Sequence, residues 1–393
     1  MKKMYPLIVL GLMEFVRGAL VFTILPYYGQ YAAGFSVGVI GTAISLHYVF
    51  DNLFRLPAGW MVDRFGGKWL VAAGLVISGL GVFLIYLHHN ALFFILGAAL
   101  FGLGVSPVWP TVISGAAAKM PVHQTGEALS KVFIAWLVGA GLGPVAVNFV
   151  IGKSYGECFL ILFVVLTAAV VITAATVSQT ANMAKPVPKA IFLKELLREL
   201  FSLRALYPGM FVQTLSVGIL TPIFAIYGRE ELGLTPSQLN YFLIGAGIFT
   251  VLLLMPAGKF ADRLGVKWPL AGGFFGAAIS LLLFPMQKSI ALAMIVAIGV
   301  GISYSFILPA WNGLMARVVS PEKRGTMWAV FMTIEGLGTA VGAYIGGKVW
   351  DGLGHWAPFY TSAFFLGSMA AFYAFSKYVD RLIGNRQNDI GHN

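Results

Sequence analysis

Ionisable side chains interrupt two long apolar segments near the start of the chain. Glu14 and Arg17 are three residues apart, and His47, Asp51 and Arg55 follow one another at intervals of four. On a helix, both spacings place the side chains on one face. A buried carboxyl group holds its proton more tightly than one in water, and a nearby arginine favours the ionised form. A face that combines carboxylates with arginines is therefore suited to binding and releasing protons.

These charges predict a proton-coupling site because an ionisable group at membrane depth is costly unless it is paired or faces water. Asp51 and Glu14 are the predicted proton carriers, and Arg17 is the predicted modulator of their charge. His47 is either a further member of the relay or a histidine hydrogen-bonded within its helix bundle. The alternative is two self-contained ion pairs that only pack helices. Arg55, one turn from a charged loop, is the best candidate for such a structural role.

The composition indicates that lipid surrounds these residues. Of 393 residues, 59% are hydrophobic and 10% are charged, whereas a soluble domain has about 25% charged residues. The chain has too little polar surface to cover itself in water. Its net charge of +11 resides in short loops rather than on one solvated face, so nucleic acid is not a predicted partner.

The predicted fold is an all-α integral membrane protein with 12 transmembrane helices in two six-helix bundles. A hydrocarbon core of about 30 Å requires about 20 apolar residues per helix. The first bundle has predicted spans at 6–29, 37–60, 69–87, 91–115, 128–151 and 157–178. The second has predicted spans at 205–228, 236–258, 269–287, 289–312, 326–349 and 356–378. The first apolar run is read as a membrane span rather than as a cleaved signal.

Four segments follow from this division of the chain. Residues 1–178 form the predicted N-terminal bundle and residues 205–380 the predicted C-terminal bundle. Between them, 179–204 is a predicted cytoplasmic linker whose apolar and charged residues alternate with helical spacing, as in a helix lying on the membrane surface. Residues 381–393 are a polar tail.

The distribution of basic residues predicts that the N and C termini are both cytoplasmic. Cytoplasmic loops of membrane proteins carry an excess of lysine and arginine. With this orientation most of the 26 lysines and arginines fall on the cytoplasmic side. The exceptions in outer segments are Lys153, Arg229, Lys288 and Lys348.

One charged loop occurs twice. Residues 57–69 read PAGWMVDRFGGKW, and residues 256–268 read PAGKFADRLGVKW, with eight of thirteen positions identical at a spacing of 199. The same spacing aligns Gly102 with Gly301 and Pro110 with Pro309. Such a repeat predicts two parallel halves related by an axis along the membrane normal, with a substrate cavity between them.

The repeated loop resembles the Gly-x-x-x-Asp-Arg-x-Gly-x-Lys motif of the major facilitator superfamily. The resemblance implies a secondary transporter that works by alternating access. It also implies a cytoplasmic latch, in which acidic and basic loop residues bridge the halves in one state and separate in another. The alternative is a solvated turn that only sets topology. The latch residues are Asp63, Arg64 and Lys68, with Asp262, Arg263 and Lys267. Gly67 and Val266 stand where the family usually has a basic residue, which implies a weaker latch.

A second motif lies in the fifth predicted span. Gly139, Gly143 and Pro144 resemble the Gly-x-x-x-Gly-Pro antiporter motif of drug and proton exchangers in this superfamily. Small residues allow helices to approach closely, and proline removes a backbone hydrogen bond. The match is partial, because Val147 and Asn148 replace the usual following glycines. It favours exchange and export.

The two halves differ in their charges. Glu14, Arg17 and Asp51 align with Gln213, Ser216 and Thr250 in the second half. Glu335 is the exception to a charge-poor second half, and its repeat equivalent is Trp136. We predict that Glu335 either lines the cavity or pairs across it.

Two tryptophans are candidates for binding a sugar, because a sugar ring presents C–H groups that stack on an indole face. Trp109 and Trp136 both belong to predicted spans that flank the cavity. The alternative for each is ordinary helix packing. The predicted substrate-binding set is Trp109, Trp136, Arg17, Glu14 and Glu335.

Taken together, Glu14, Arg17, Asp51, Trp109 and Trp136 are similar to the cavity residues of the proton-coupled glycolipid flippases of Gram-positive bacteria. That resemblance implies movement of a diglucosyl-diacylglycerol, the lipoteichoic-acid anchor, from the inner to the outer leaflet of a bacterial cytoplasmic membrane. The polar first half would hold the headgroup and the apolar second half the acyl chains. The partners would be protons, membrane lipids and an amphiphilic substrate, and the protein would be a monomer that needs only the proton gradient and no cofactor.

The alternative within transporters is a proton-driven exporter of hydrophobic drugs, in which Asp51 would help to bind cations. A membrane enzyme would require a nucleophile with its base, or a metal cluster. The sequence has a single cysteine, Cys158, no nucleotide-binding P-loop, and scattered histidines at 47, 88, 89, 123, 355 and 392. It therefore predicts neither an enzyme nor a metal site. An ion channel would leave the charged loops and the unequal halves unexplained.

Overall fold

The computed structural model describes residues 5–87, 90–117, 125–176, 201, 203–318 and 324–376. Within these ranges the regular elements are all helices. Most of the predicted linker at 179–204, including its surface helix, and the whole predicted tail at 381–393 lie outside the described residues.

The first half begins with a long helix that changes its winding. It starts as α1 (Tyr5–Ala19), passes through π-helical turns at Leu20–Ile24 and Tyr28–Ala32, and contains α2 (Leu25–Tyr27) between them. The two π-helical stretches flank Pro26, whose missing N–H interrupts the regular ladder of hydrogen bonds. The remaining helices are α3 (Val37–Phe65), α4 (Gly67–Leu87), α5 (Ala91–Val105), α6 (Val108–Ala117), α7 (Thr125–Asn148) and α8 (Tyr155–Thr176).

The second half has the same order of elements. Its helices are α9 (Tyr207–Leu220), α10 (Phe224–Glu230), α11 (Pro236–Leu264), α12 (Lys267–Leu283), α13 (Ile290–Val318), α14 (Arg324–Leu353) and α15 (Ala357–Phe375). Two predicted spans are broken. The span predicted at 91–115 divides between α5 and α6 at Pro107, and the span predicted at 205–228 divides between α9 and α10 at Pro222. A proline cannot donate the backbone hydrogen bond that would continue the helix.

Ten membrane-span candidates meet both length and hydropathy criteria in the described part of the chain. They run from Pro6–Ala32 to Ile290–Met315. The last two helices, α14 with 30 residues and α15 with 19, are not among these ten, although a span needs only about 17–25 residues. The polar and charged residues of α14 lower its mean hydropathy.

The internal repeat predicted from the sequence is present in the packing. Tyr28 donates its hydroxyl to the carbonyl oxygen of Tyr86 at 3.1 Å, and Tyr227 donates to that of Pro285 at 3.4 Å. Both residues of the second pair lie 199 positions after those of the first. Gly102 likewise packs on the backbone of His47, as Gly301 packs on that of Ala246.

The two charged motifs form the same turn. Gly66 ends α3 with φ 84°, and Gly265 ends α11 with φ 80°. After each of these glycines, the next helix begins within two residues. A side chain disfavours this left-handed backbone, so glycine is required at both positions. We call the end of the molecule that carries these turns the motif side.

The halves meet most closely along α3 and α14. The amide of Gly38 donates to Asp351 Oδ2 at 2.9 Å, Gly41 faces the backbone of Ala343 and Gly347, and the Asn52 side chain covers Gly336. Glycines on both helices remove the side chains that would hold the backbones apart.

A second set of contacts joins the halves on the side opposite the motif turns. Asn148 Nδ2 donates to Asn240 Oδ1 at 2.8 Å, and Tyr31 donates to Glu230 at 3.2 Å. The Arg229 guanidinium lies 3.8 Å from the centre of the Tyr31 ring. On the motif side, by contrast, Arg64 is exposed, as are Asp262 and Arg263. These contacts therefore close the interface between the halves at the end opposite the motif side.

Candidate functional site

The predicted charged face of α1 is present. Glu14 and Arg17 lie one turn apart, and Arg17 binds Glu14 Oε2 with two nitrogens, Nε at 2.9 Å and Nη2 at 2.6 Å. This two-point contact fixes the guanidinium in one orientation. Its remaining nitrogen, Nη1, points away from Glu14 and is free to bind a second carboxylate.

Asp51 of α3 provides that second carboxylate. Its Oδ2 accepts from Arg17 Nη1 at 3.3 Å and from Arg55 Nη2 at 2.7 Å. One carboxylate oxygen therefore joins an arginine on each of two helices. The pairs Glu14–Arg17 and Asp51–Arg55 are consequently not self-contained, and their part in proton coupling stays a prediction.

Trp109 of α6 extends the chain of contacts to a third helix. Its indole Nε1 donates to Glu14 Oε1 at 2.8 Å, so both oxygens of Glu14 are occupied. The interruption of the helix at Pro107 sets α6 apart from α5 just before this residue. We refer to Trp109, Glu14, Arg17, Asp51 and Arg55 as the charged network.

The charged network is almost completely enclosed. The Glu14 and Asp51 side chains are each 1% exposed, Arg55 is 9% exposed and Arg17 is 13% exposed. Two carboxylates balance two guanidinium groups, which satisfies the requirement that buried charges be paired. Arg17, which contacts both carboxylates and has the greatest exposure of the four, is the member best placed to respond to a ligand.

Some hydrogen-bonding capacity in the charged network is unused. Asp51 Oδ1 and Arg55 Nε are buried and make no hydrogen bond within the described residues. An unsatisfied buried polar group costs about 1–3 kcal/mol. A proton on Asp51, or a rearrangement that brings a new partner, would use this capacity.

His47 does not join the charged network in this conformation. It is completely buried, its ring centre lies 4.9 Å from that of Tyr48 and 5.2 Å from that of Phe101, and it lies beside the Ala98 backbone. Neither ring nitrogen has a hydrogen-bond partner in the described chain. It makes no bond to the charged network, and both explanations of His47, as a member of the relay and as a histidine held within its helix bundle, stay predictions.

Trp109 and Trp136 lie together beside the charged network. Their ring centres are 6.5 Å apart with the rings steeply inclined, and Phe133 lies within 6.5 Å of both. Trp109 is 3% exposed, whereas Trp136 is half-buried. Of the two, Trp136 offers more surface to a sugar ring, and the stacking role of both stays a prediction.

The antiporter-like motif of α7 packs directly behind Glu14. A side chain at Gly139 would lie 3.0 Å from Glu14 Cβ, and one at Gly143 would lie 2.9 Å from the backbone nitrogen of Ala19. Pro144 remains inside the helix and contacts the backbone at Gly18. These small residues therefore allow α7 to approach the helix that carries Glu14 and Arg17.

Glu335 of α14 has different surroundings. Its Oε1 accepts from Gln213 Nε2 at 3.2 Å and from Trp311 Nε1 at 3.1 Å. Both donors are neutral and both belong to the second half. The sequence pattern does not single out Trp311, because its repeat equivalent is Val112 and tryptophan is common in membrane helices.

An apolar cavity of about 360 Å³ lies within the second half. Its wall includes side chains from six helices of that half and Phe22 of the first. Ligand pockets have volumes of about 300–1,000 Å³, so the cavity is large enough for a small apolar group. Residues on its wall include Phe22, Val217, Leu220, Phe224, Phe242 and Tyr304.

The motif residues make local contacts. The Arg64 guanidinium lies 5.3 Å from the centre of the Trp60 ring and 5.5 Å from that of Phe65, and Lys68 lies 5.3 Å from that of Trp69. Asp262 and Arg263 are exposed. The predicted latch, which also includes Asp63 and Lys267, stays a prediction.

Other reactive side chains are dispersed. Over the described ranges, no group of three or more histidine, cysteine, aspartate and glutamate residues could hold a metal ion. Cys158 is buried. His355 contacts Glu231 and lies 3.8 Å from Glu230 on the side opposite the motif turns.

The sequence profile of the Major Facilitator Superfamily matches this chain twice, over residues 7–207 and 206–388. The two matches follow the internal repeat. A relative from Staphylococcus saprophyticus, called a proton-coupled antiporter flippase LtaA, is 27% identical over 87% of this chain and 86% of its own length. The protein of the same name from Staphylococcus haemolyticus is 28% identical over 95% and 94%.

Solved transporter structures have the same fold. A bacterial homologue of the human lysosomal transporter Spinster superposes with a TM-score of 0.79, at 15% identity over 98% of this chain and 97% of its own. The nucleoside transporter NupG gives a TM-score of 0.77, at 16% identity over 96% and 99%. At these identities the likeness extends to the fold alone.

Proposed function

This chain belongs to the Major Facilitator Superfamily, and we propose that it is a proton-driven flippase that moves an amphiphilic glycolipid from the inner to the outer leaflet. It is a multi-pass protein of the cytoplasmic membrane. Relatives that align over most of its length are named proton-coupled antiporter flippases. The proposed substrate is of the diglucosyl-diacylglycerol type, the anchor of lipoteichoic acid.

The charged network is the observation that supports this function most strongly. Arg17 contacts Glu14 and Asp51 at once, so the two predicted proton carriers share one guanidinium group. A substrate that holds Arg17 close to Asp51 keeps that carboxylate ionised, and after the substrate leaves, movement of Arg17 away from Asp51 allows the carboxylate to take up a proton. Substrate binding and proton binding are thereby linked through one side chain.

The division of polarity between the halves supports an amphiphilic substrate. The charged network and Trp136 belong to the first half, whereas the cavity of about 360 Å³ belongs to the second and is apolar. A sugar headgroup has hydroxyl groups that can bond with Arg17 and a face of C–H groups that can stack on Trp136. Acyl chains need only apolar walls. A lipid placed between the halves would meet both environments.

The overall architecture in this proposal is that of 12 transmembrane helices, with bundles at 1–178 and 205–380 and both termini in the cytoplasm. The motif side then faces the cytoplasm. The contacts Asn148–Asn240 and Tyr31–Glu230 close the path to the outside. Glycolipid enters from the inner leaflet, and protons move inward when the substrate is released outside. We propose that a monomer does this without a cofactor.

A proton-driven exporter of hydrophobic compounds is the second candidate. The same apolar cavity would accept a hydrophobic molecule, and Asp51 would attract a cation. Gly139, Gly143 and Pro144, which resemble the antiporter motif of drug exchangers, favour this candidate. It differs from the first in having no requirement for a sugar headgroup.

The two candidates are separated by a transport assay in proteoliposomes. The purified protein is reconstituted with a fluorescent diglucosyl-diacylglycerol, and dye in the outer leaflet is quenched chemically after a proton gradient is imposed. We expect gradient-driven movement of this lipid, and none of a diacylglycerol without the sugar. Asp51→Asn, Glu14→Gln and Arg17→Ala should each reduce it. Transport of ethidium without transport of glycolipid would replace the flippase with the exporter.

A further inference from the structure

Glu335 is the carboxyl group in the second half that most resembles Glu14. Each accepts a hydrogen bond from an indole on another helix of its own half, Trp311 at 3.1 Å and Trp109 at 2.8 Å. The carboxylate has changed helix, because Glu14 aligns with Gln213 whereas Glu335 aligns with Trp136. Gln213 nevertheless contacts Glu335 at 3.2 Å. Both halves thus place one carboxyl group in the same kind of pocket.

The two carboxyl groups differ in charge compensation. Glu14 forms an ion pair with Arg17, but both hydrogen-bond donors to Glu335 are neutral. The helix α3, which packs against α14, carries Asp51 and Arg55, and these two are paired with each other. The same helix carries the buried imidazole of His47 and ends in the motif residues Asp63 and Arg64. The remaining ionisable groups on packed helices are phenols, which are neutral at physiological pH. These phenols are Tyr48, Tyr207, Tyr304, Tyr360 and Tyr373.

A carboxylate with neutral partners in a membrane interior is less well stabilised than one paired with a cation. A neutral carboxylic acid avoids this cost and still accepts hydrogen bonds at its carbonyl oxygen. Two neutral donors can also hold the ionised form for part of a cycle. This combination is suited to a group that alternates between the two states.

The second oxygen of Glu335 is available for a proton. Both donors bind Oε1, so Oε2 has no partner within the described chain. Glu335 is half-buried rather than fully enclosed, so its side chain is open to exchange with water. Protonation then forms one O–H bond at Oε2 and leaves the contacts of Oε1 in place.

The position of Glu335 links it to movement of the halves. The next residue, Gly336, lies under the Asn52 side chain of α3, and Asn52 follows Asp51. Asn52 Oδ1 has no hydrogen-bond partner in the described residues, so the contact is one of packing. If the halves separate along α3 and α14, the side chains of Glu335 and Asp51 both become more exposed to water.

We propose that Glu335 is a further proton-binding residue of the transport cycle, located in the charge-poor second half. It takes up a proton from water at Oε2 and returns it to water when the α3–α14 contact changes. This inference rests on the proposed proton-driven transport and adds a carrier to Glu14 and Asp51.

The experiment combines a spectroscopic readout with transport. Infrared difference spectra of the purified full chain, recorded between mildly alkaline and mildly acidic pH, detect the C=O stretch of carboxyl groups that gain a proton. We expect Glu335→Gln to remove one such band. Glu157→Gln is the matched control, because Glu157 is an exposed carboxylate at the start of α8, and it should retain that band.

The transport arm uses the labelled glycolipid in proteoliposomes. Glu335→Gln should lower gradient-driven movement at least several-fold and retain exchange between leaflets in the absence of a gradient, whereas Glu335→Asp should restore part of the driven movement. An unchanged band in Glu335→Gln overturns the proposal, as does loss of the band with driven movement intact. If Glu335→Gln fails to fold, Glu335→Asp replaces it in the infrared experiment. The shorter side chain should shift the C=O band of this residue, so a spectrum identical to that of the wild type overturns the proposal too. Absence of glycolipid movement by the wild type would instead refute the proposed substrate, and the infrared result would stand.

Discussion

The two halves of this transporter have one scaffold and two different interiors. In the first half, Arg17 and Arg55 converge on Asp51 at 3.3 and 2.7 Å. At the position equivalent to Asp51, the second half has Thr250, whose hydroxyl donates to the backbone oxygens of Ala246 and Gly301 at 2.8 and 2.9 Å. The same place in the fold therefore holds an ion-pair network in one half and a local backbone contact in the other.

This difference separates architecture from function. Contacts that both halves retain, such as those of Tyr28 and Tyr227 with the ends of α4 and α12, serve the fold. Contacts present in one half only are not needed to build a six-helix bundle. Buried ion pairs contribute little net stability compared with apolar packing, so the charged network is best explained by coupling to protons.

The largest difference in stability and in transport is expected between the variants Asp51→Asn and Thr250→Val. The Asp51→Asn variant leaves the buried Arg55 without a charge partner, whereas Arg17 keeps Glu14. Breaking a buried pair costs about 3–5 kcal/mol, and the variant should abolish gradient-driven transport. The Thr250→Val variant loses neutral hydrogen bonds worth about 1 kcal/mol and should transport normally. Thermal unfolding in detergent and the proteoliposome assay measure both. Equal losses in the two variants would contradict the assignment of function to the first half.

A smaller difference is expected between the two indole donors. Trp109→Phe removes a hydrogen bond to a carboxylate in an ion pair, a loss of about 1.5–3 kcal/mol. Trp311→Phe removes the equivalent bond to Glu335, and if that group is neutral the loss is about 0.5–1.5 kcal/mol. Unfolding temperatures of the two variants, compared side by side, test this order. A greater loss for Trp311→Phe would mean that Glu335 is ionised in the resting protein.

The glycines that hold the bundles together should behave alike in both halves. A side chain at Gly143 would lie 2.9 Å from the Ala19 nitrogen, and one at its repeat equivalent, Gly342, would lie 2.9 Å from the Ile219 nitrogen. Each alanine variant should lose about 1–3 kcal/mol through overpacking. Gly141→Ala is the control, because nothing lies within 4 Å of a side chain there, and it should unfold at the wild-type temperature or above. Unequal losses at 143 and 342 would show that the scaffold is less symmetric than its sequence.

The motif turns should give the smallest effects on stability. Arg64→Ala loses its contacts with two aromatic rings, worth about 0.5–1 kcal/mol at an exposed site. Arg263→Ala, at the equivalent exposed position, should change stability by at most about 0.5 kcal/mol. If the latch operates, both variants should still slow gradient-driven transport. Unchanged transport in both would leave the turns with a role in topology alone.

Sequence patterns are sufficient to predict the scaffold. The spacing of 199 is present in the packing of the two halves, and ten of the apolar runs form helices that could span a membrane in the described part of the chain. Helix interruptions are harder to predict, because a proline in a membrane helix can either remain inside the helix or end it. Pro57 and Pro144 lie inside unbroken helices, whereas Pro107 and Pro222 end theirs. Contacts with neighbouring helices decide which outcome occurs, and the local sequence does not predict those contacts.

The sequence predicts which residues belong to the charged network, but it does not predict the hydrogen bonds and ion pairs that join them across helices. Helical spacing identifies Glu14 with Arg17 and Asp51 with Arg55, because these pairs lie within a turn. The bond from Arg17 to Asp51 and the bond from Trp109 to Glu14 join residues 34 and 95 positions apart. They depend on how closely α1, α3 and α6 approach. The hydrogen-bond partners of Glu335 could not be predicted for the same reason.

Substrate-induced proton exchange tests the coupling of Asp51 to ligand most directly. Purified protein in weakly buffered detergent solution is mixed with diglucosyl-diacylglycerol, and a pH-sensitive dye records protons taken up or released. The account predicts a clear signal from the wild type and from Thr250→Val, and none from Asp51→Asn. A signal of equal size from Asp51→Asn would contradict it.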